Sequence, residues 1–279
     1  MERKNVTVST ISNMKANGES IVMITAYDVA MARNVDEAGV DMILVGDSLG
    51  NVIMGYQSTL PVTVEDMIHH TQCVMRANPK AMVIADMPFM SYQASIEDGI
   101  RNAGRIMKET GCAGVKLEGG VSVAPLVKRL VEAGIPVVAH IGLTPQSVNA
   151  FGGFKVQGKT VEAAQQMIED AKTLEEAGAF ACVLECVPAA LAKKVTENCK
   201  VMATIGIGAG SDCDGQVLVC NDLLGVSNGF TPKFVKKYAN LHDITVNAVK
   251  EYINDCKART FPAAEHTFKL DDSVLEKLY

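Results

Sequence analysis

The sequence predicts a single (β/α)8 TIM barrel. Three observations lead there: eight short, β-branched apolar runs, helical patterns between them that close on glycine, and a length of 279 residues, which one such barrel routinely occupies. The first run covers Ile21 to Asp28, followed by a helical pattern from Val29 to Ala38 with Gly39 after it. The second, Met42 to Ser48, leads through a loop to a helix over Thr63 to Arg76. Ala81 to Pro88 precedes a helix over Ile96 to Thr110 with Gly111, and Gly114 to Gly120 precedes one over Ala124 to Ala133 with Gly134. Val137 to Leu143 leads to Val161 to Ala177 with Gly178, and Ala181 to Pro188, Ala203 to Gly210 and Gln216 to Asp222 complete the eight. Each run is short and β-branched, and the intervals carry helical periodicity, so the chain alternates strand and helix. The recurring Glu-Ala-Gly endings at Glu37, Glu132 and Glu176 put glycine where a left-handed helix cap is wanted. An open doubly wound sheet uses the same alternation, but eight parallel-type strands favour closure.

Residues before Ile21 read as an extra helix, and those from Thr231 onward as a terminal helix and tail. Neither has the makings of a separate core, so one domain is expected over 1–279. A 48% hydrophobic content with 21% charged residues is that of a globular α/β chain with a full core. The net charge of −6 and the lack of a clustered Lys/Arg surface argue against nucleic acid as a partner. The longest apolar stretches are far shorter than the ~20 residues of a membrane helix, and the polar opening predicts no secretory leader. A cytoplasmic location is expected. The eight cysteines form no C-x-x-C pair and are expected to be reduced thiols.

In such barrels chemistry sits at the C-terminal strand ends, so acids that end apolar runs are the first candidates. Asp47, Asp86, Glu118 and Glu185 do so. Side chains alternate faces along a strand, which pairs Val45 with Asp47, Ile84 with Asp86, Lys116 with Glu118 and Val183 with Glu185 and allows every acid to face inward. Adjacent strands lie about 4.8 Å apart, so Asp47, Asp86 and Glu118 on three consecutive strands can converge on one ion. An all-carboxylate set suits a hard cation, and Mg2+ is favoured over Zn2+. Lone strand-end acids are as often solvated loop residues, but three on neighbouring strands shift the balance toward a site. Lys116 either binds an anionic substrate or neutralises the acids, with substrate binding preferred. Glu185, placed across the mouth, can accept a proton. His140 is either a polar contact of the site or a core histidine with a satisfied ring.

Three motifs compete with this reading. Gly46-Asp47-Ser48-Leu49-Gly50 matches the nucleophile elbow of serine hydrolases, but the following residues read as loop where the elbow needs a helix. Gly153 to Thr160 has P-loop spacing without a strand before it. The glycines of Gly206 to Gly210 either cradle a phosphate or make a tight turn.

The segments "TAYD" at Thr25 to Asp28, "VGDSLG" at Val45 to Gly50, "GYQSTLPVTVEDM" at Gly55 to Met67, "ADMPF" at Ala85 to Phe89 and "VKLEGG" at Val115 to Gly120 resemble ketopantoate hydroxymethyltransferases. So do "HIGLTPQ" at His140 to Gln146, "GGFKVQGKT" at Gly152 to Thr160, "LECVP" at Leu184 to Pro188, "IGIGAG" at Ile205 to Gly210, "CDGQVLV" at Cys213 to Val219 and "PKFVKKY" at Pro232 to Tyr238. The resemblance runs from about Thr25 to Phe268 in the family's order. It implies a barrel of the phosphoenolpyruvate/pyruvate superfamily that moves a one-carbon unit from 5,10-methylenetetrahydrofolate to 3-methyl-2-oxobutanoate, giving 2-dehydropantoate for pantothenate synthesis. It further implies Mg2+ on Asp47, Asp86 and Glu118, oxo-acid contacts from Asp47, Ser48, Asp86 and Lys116, Glu185 as proton acceptor, and a homodecamer. Two departures bear on local loop shape: Met90 stands where the family usually has glycine, and Val29-Ala30 replace a common Tyr-Pro. A phosphoenolpyruvate-type lyase would share the metal acids, yet its usual K-K/R-C-G-H loop is missing from this sequence. A non-catalytic barrel would have no use for a base at Glu185.

Overall fold

The computed structural model describes residues 3–278, so the very ends of the expected 1–279 domain, residues 1, 2 and 279, lie outside the described residues. Contacts divide the chain into two compact units, one of Met1–Cys220 with Pro232–Val235 and the other of Asn221–Thr231 with Lys236–Tyr279. The first unit is a closed parallel barrel of eight strands in sequential order.

Its strands are β1 (Ile21–Thr25), β2 (Met42–Val45), β3 (Met82–Asp86), β4 (Gly114–Glu118), β5 (Val137–Gly142), β6 (Ala181–Glu185), β7 (Ala203–Ile207) and β8 (Gly215–Leu218). Seven of the predicted runs contain one of them whole, and the eighth, from Gln216, begins one residue inside β8. The runs overshoot at their C-terminal ends, because apolar composition continues into the turns after the hydrogen-bond ladder has stopped. The helices α1 (Val8–Asn17), α2 (Val29–Glu37), α3 (Leu49–Val52), α4 (Val64–Met75), α5 (Ile96–Thr110), α6 (Ala124–Glu132), α7 (Val148–Phe151), α8 (Val161–Glu176) and α9 (Ala189–Asn198) come between or before them. The short α3 and α7, and α9, are additions to the helices predicted from periodicity. Helix α9 begins at Ala189, directly after Pro188, to which the sixth run had been extended.

Side chains of alternate residues fill the barrel: Met23, Met42, Leu44, Met82, Ile84, Val138, Ala181, Val183, Ala203, Ile205 and Val217 belong to one buried cluster. Ile11 of α1 is fully buried in the same cluster, so the extra N-terminal helix contributes to the core. This inner set fixes which strand positions point to the barrel axis, and therefore which functional side chains do. The expected glycine caps are present, with Gly39, Gly134 and Gly178 at φ of 94°, 83° and 98°.

Met90 adopts φ 64° and is 56% exposed. Left-handed backbone costs a residue with a Cβ about 1–2 kcal/mol, and an exposed side chain returns little packing. Met90→Gly should therefore stabilise the fold, by roughly 0.5 kcal/mol once the extra freedom of glycine in the unfolded chain is set against the relief. Urea denaturation checks this, and a lower midpoint for the variant would contradict it.

The short α10 (Cys220–Leu224) follows β8 in the chain, and the second unit contains α11 (Leu241–Ala258), capped by Asn240, and the short α12 (Asp272–Leu275). No residue of α11 is buried. Among the described residues no helix is long and apolar enough to cross a membrane.

Candidate active site

Four strands end in the groups that make the site. β3 supplies Asp86, β4 supplies Lys116 and Glu118, β5 supplies His140 and β6 supplies Glu185. Strand register sets Asp86 level with Lys116 and Glu118 level with His140. Asp47, Asp86, Lys116, Glu118 and His140 are all buried, and the Glu185 side chain is 18% exposed.

Asp47 arrives differently from the route predicted by strand parity. β2 ends at Val45, and the inner cluster contains Leu44, not Val45. The inward position after Leu44 is Gly46, where a Cβ would lie 2.7 Å from Ser48 Oγ and 3.4 Å from Asp86 Oδ2. Asp47 and Ser48 therefore enter the site from the turn before α3, over a glycine that leaves room for them. The Asp47 backbone N–H donates to Asp86 Oδ2 at 3.0 Å, which ties the turn to β3.

Lys116 Nζ lies 2.8 Å from Asp86 Oδ1. Burial works against the ammonium, but the charges of Asp86, Glu118 and Asp47 outweigh it and hold Lys116 as a cation, well above the ordinary lysine range. Burial pushes Asp86 upward against the pull of Lys116. Asp47 is raised to about 8, first by burial and then by the charges of Asp86 and Glu118, with only partial relief from Lys116 and the Gln146 amide. Glu118 is lowered despite burial, because His140, Lys116 and the Gln146 backbone N–H all favour its charged form.

His140 joins the two ends of the cluster: Nδ1 is 3.4 Å from Glu118 Oε1 and Nε2 is 3.3 Å from Glu185 Oε2. Nδ1 is also 3.3 Å from Lys116 Nζ. Burial and the Lys116 charge push the imidazole down, yet the bonds to Glu118 and Glu185 prevail and raise it to about 9. Of the two readings left open by the sequence, the structure gives the polar contact of the site. Glu185 is linked to the acid group through this ring.

Sequence reasoning missed three neutral residues. Gln146, in the turn after β5, donates from Nε2 to Asp47 Oδ2 at 2.9 Å and from its backbone N–H to Glu118 Oε2 at 3.0 Å. Tyr92 donates to Gln146 Oε1 at 2.7 Å and accepts from the Glu118 backbone N–H at 3.0 Å. Tyr27 shares a 2.9 Å hydrogen bond with Ser48 Oγ. Uncharged residues in loops give no periodicity signal. The one available cue was their place just beyond strand ends.

The competing motifs resolve structurally. A helical turn, α3, does follow Ser48 directly, against the loop expected there, but the hydroxyl's partner is Tyr27, and among the described residues no histidine is bonded to it. Gly153 to Thr160 follows α7, not a strand, and Thr160 serves as N-cap of α8 by accepting from the Ala163 N–H. Gly208 and Gly210 have φ of 63° and 83°, the backbone of a tight turn after β7.

Among the described residues no three His, Cys, Asp or Glu side chains form a ready metal cage. The donors present nevertheless fit a hard cation that keeps waters and takes only one or two carboxylates directly. Asp86 Oδ1 is buried with its ion pair to Lys116 but no aligned hydrogen bond. Asp47 is a buried acid without a cation of its own, since Lys116 is committed to Asp86. Both favour a further positive charge between them.

The model of the family described as ketopantoate hydroxymethyltransferase matches residues 5–264. A curated 3-methyl-2-oxobutanoate hydroxymethyltransferase of Syntrophus aciditrophicus (strain SB) is 61% identical over 265 residues, 95% of this chain and 97% of that protein. One of Syntrophomonas wolfei is 57% identical over 98% of this chain and 99% of its own length. Among solved structures, 2,3-dimethylmalate lyase, a PEP mutase/isocitrate lyase superfamily member, superposes with a TM-score of 0.59 at 16% identity, covering 97% of this chain and 93% of that one; at that identity the likeness is one of fold. With the barrel, the buried acid cluster and relatives alike over nearly their whole length, the chain belongs to the ketopantoate hydroxymethyltransferase family and is a hydroxymethyl-transferring enzyme.

Proposed function

We propose that the enzyme transfers the hydroxymethyl unit from 5,10-methylenetetrahydrofolate to 3-methyl-2-oxobutanoate, forming 2-dehydropantoate and tetrahydrofolate on the route to pantothenate, with Mg2+ as its metal. The observation that carries this reading is the buried cluster itself: three carboxyl groups, Asp47, Asp86 and Glu118, meet around one lysine, Lys116, and His140 connects them to a partly exposed Glu185. Asp47, Asp86 and Glu118 would hold the metal, with one Glu118 oxygen facing the Gln146 backbone N–H and the other His140. When bound, the metal acidifies the C–H beside a keto group by drawing charge from the carbonyl.

The remaining work falls to side chains. Lys116 attracts the carboxylate of the oxo acid and offsets the negative charge that develops on its keto oxygen. Ser48, oriented by Tyr27, offers a hydroxyl to the same end of the substrate. Glu185 takes the C3 proton, with His140 Nε2 3.3 Å from its carboxylate. The C3 carbon then bonds to the one-carbon unit as one of its two C–N bonds to folate breaks; water replaces the second folate nitrogen, its oxygen becoming the product hydroxyl, and the two nitrogens of tetrahydrofolate take up the C3 proton and one proton from water. The family's decameric assembly and a cytoplasmic setting belong to the same reading, and the mass of the assembly by light scattering tests the first.

The direct test is turnover with 3-methyl-2-oxobutanoate and 5,10-methylenetetrahydrofolate. Chelator should abolish product and Mg2+ should restore it. Full activity in chelator would refute the metal, and no product under any metal would refute the substrates.

A further inference from the structure

Gln146 makes five hydrogen bonds at the edge of this site, two of them to its acids, yet carries no charge and has no step of its own in the reaction. Its side chain is 5% exposed. Nε2 has two protons and two acceptors, Asp47 Oδ2 and the Met87 carbonyl, each at 2.9 Å. Oε1 accepts from the Tyr92 hydroxyl at 2.7 Å and from Gln93 Nε2 at 3.0 Å. The Met87 carbonyl can only accept, so the nitrogen end must face it and Asp47, and the amide has one permitted orientation. The same residue's backbone N–H donates to Glu118 Oε2.

We propose that Gln146 is a positioning residue for the metal acids, a dual tether that fixes one oxygen of Asp47 and one of Glu118 and thereby aims Asp47 Oδ1 at a divalent cation. The inference rests on the metal reading above and adds the means by which the acids are aimed. Three independent segments meet at this amide: the turn after β2 through Asp47, the loop after β3 through Met87, Tyr92 and Gln93, and the turn after β5. A carboxylate held through one oxygen loses rotational freedom and presents the other in a fixed direction, which a site built from few protein ligands needs. Tyr92 extends the tether, since its hydroxyl also receives the Glu118 backbone N–H. The amide is thus locked by a group that itself fixes the end of β4.

Titration of Mn2+ into the metal-free protein, followed by electron paramagnetic resonance of the free ion, reads the effect without turnover. Partners that orient metal ligands are worth about 10- to 100-fold in affinity. Gln146→Met, which keeps length but removes both donors, should raise the Mn2+ Kd by that factor. Tyr92→Phe, which removes the shortest of the bonds holding the amide, should raise it by a smaller one. Thermal melting of the same samples separates positioning from packing: a lower melting temperature with an unchanged Kd in both variants would overturn the proposal. Should Gln146→Met fail to fold, Tyr92→Phe decides alone, and wild-type affinity there refutes it. Absence of Mn2+ binding by the wild type would refute the metal reading instead, a distinguishable result.

Discussion

Asp47→Asn should abolish turnover and at the same time raise the thermal midpoint of the metal-free protein. Both effects have one origin. Burial and the neighbouring charges of Asp86 and Glu118 raise Asp47 to about 8 in the folded chain, from the ordinary carboxylate value of 3.8. Below pH 4 the group is protonated in folded and unfolded chains alike and has no effect on stability. As pH rises from there to 8, the unfolded chain releases the proton while the folded chain retains it, so folding is progressively disfavoured, and the full cost is present above pH 8. A shift of this size corresponds to several kcal/mol, on the order of 1.4 kcal/mol per unit, lessened by readjustment of Asp86 and Lys116. Asparagine keeps the shape and an oxygen to accept from Gln146 but cannot ionise. Its stabilising effect should therefore be larger at pH 8 than at pH 5, and absent near pH 3.5. Mg2+ should reverse the order, because a ligand that binds only the folded wild type stabilises it by mass action, while the variant has lost the charge that holds the ion. Scanning calorimetry at three pH values, with and without Mg2+, measures all of this. A variant with wild-type turnover would remove Asp47 from the site, and one with the same melting temperature at every pH would show that the buried charge carries no strain.

How much of this was legible beforehand depends on what kind of signal each residue leaves. The barrel was readable because its strands are buried on both faces, so composition alone marks them, and because Gly39, Gly134 and Gly178 punctuate the helices. Asp86, Lys116, Glu118 and Glu185 were readable as chemistry-bearing residues at the ends of those strands. Asp47 was named for a reason that fails: parity assumed that β2 continues through it, whereas the ladder stops at Val45 and Gly46 takes the inward place. Extended backbone alternates faces only while the hydrogen-bonded ladder lasts, and no pattern in "LVGDSLG" marks where it stops. His140 could not be decided, since a buried imidazole looks the same in sequence whether it meets apolar neighbours or Glu118 and Glu185. Met90 was noted only as a departure from glycine, and the structure supplies the reason that glycine suits the position, φ 64°. Gln146 and Tyr92 were invisible because their role is tertiary: the segments they connect are distant in sequence.

Glu185→Gln should bind the oxo acid and fail to enolise it. The carboxylate stands at the end of β6, partly open to the mouth, with Oε2 3.3 Å from His140 Nε2. Two groups there can in principle take the C3 proton, Glu185 and His140. The imidazole is raised to about 9 by its bonds to Glu118 and Glu185, so at pH 7 it already carries its proton and is unavailable as a base. That leaves Glu185. Glutamine preserves the size of the side chain and an oxygen to accept from His140, but its amide cannot accept the substrate proton, so loss of a positioned base should cost about 10²- to 10⁴-fold in the proton-transfer step with little change in binding. Exchange of the C3 hydrogen of 3-methyl-2-oxobutanoate for solvent deuterium, followed by NMR in the absence of folate, isolates that step from carbon–carbon bond formation. Wild type should exchange, faster with Mg2+ than in chelator. Glu185→Gln should show exchange slowed by at least 100-fold, with an oxo-acid Kd by calorimetry close to that of wild type. If exchange in the variant equals that of wild type while binding is intact, the proton leaves to another acceptor, and the same experiment on His140→Gln then asks whether the imidazole, despite its raised value, is that acceptor.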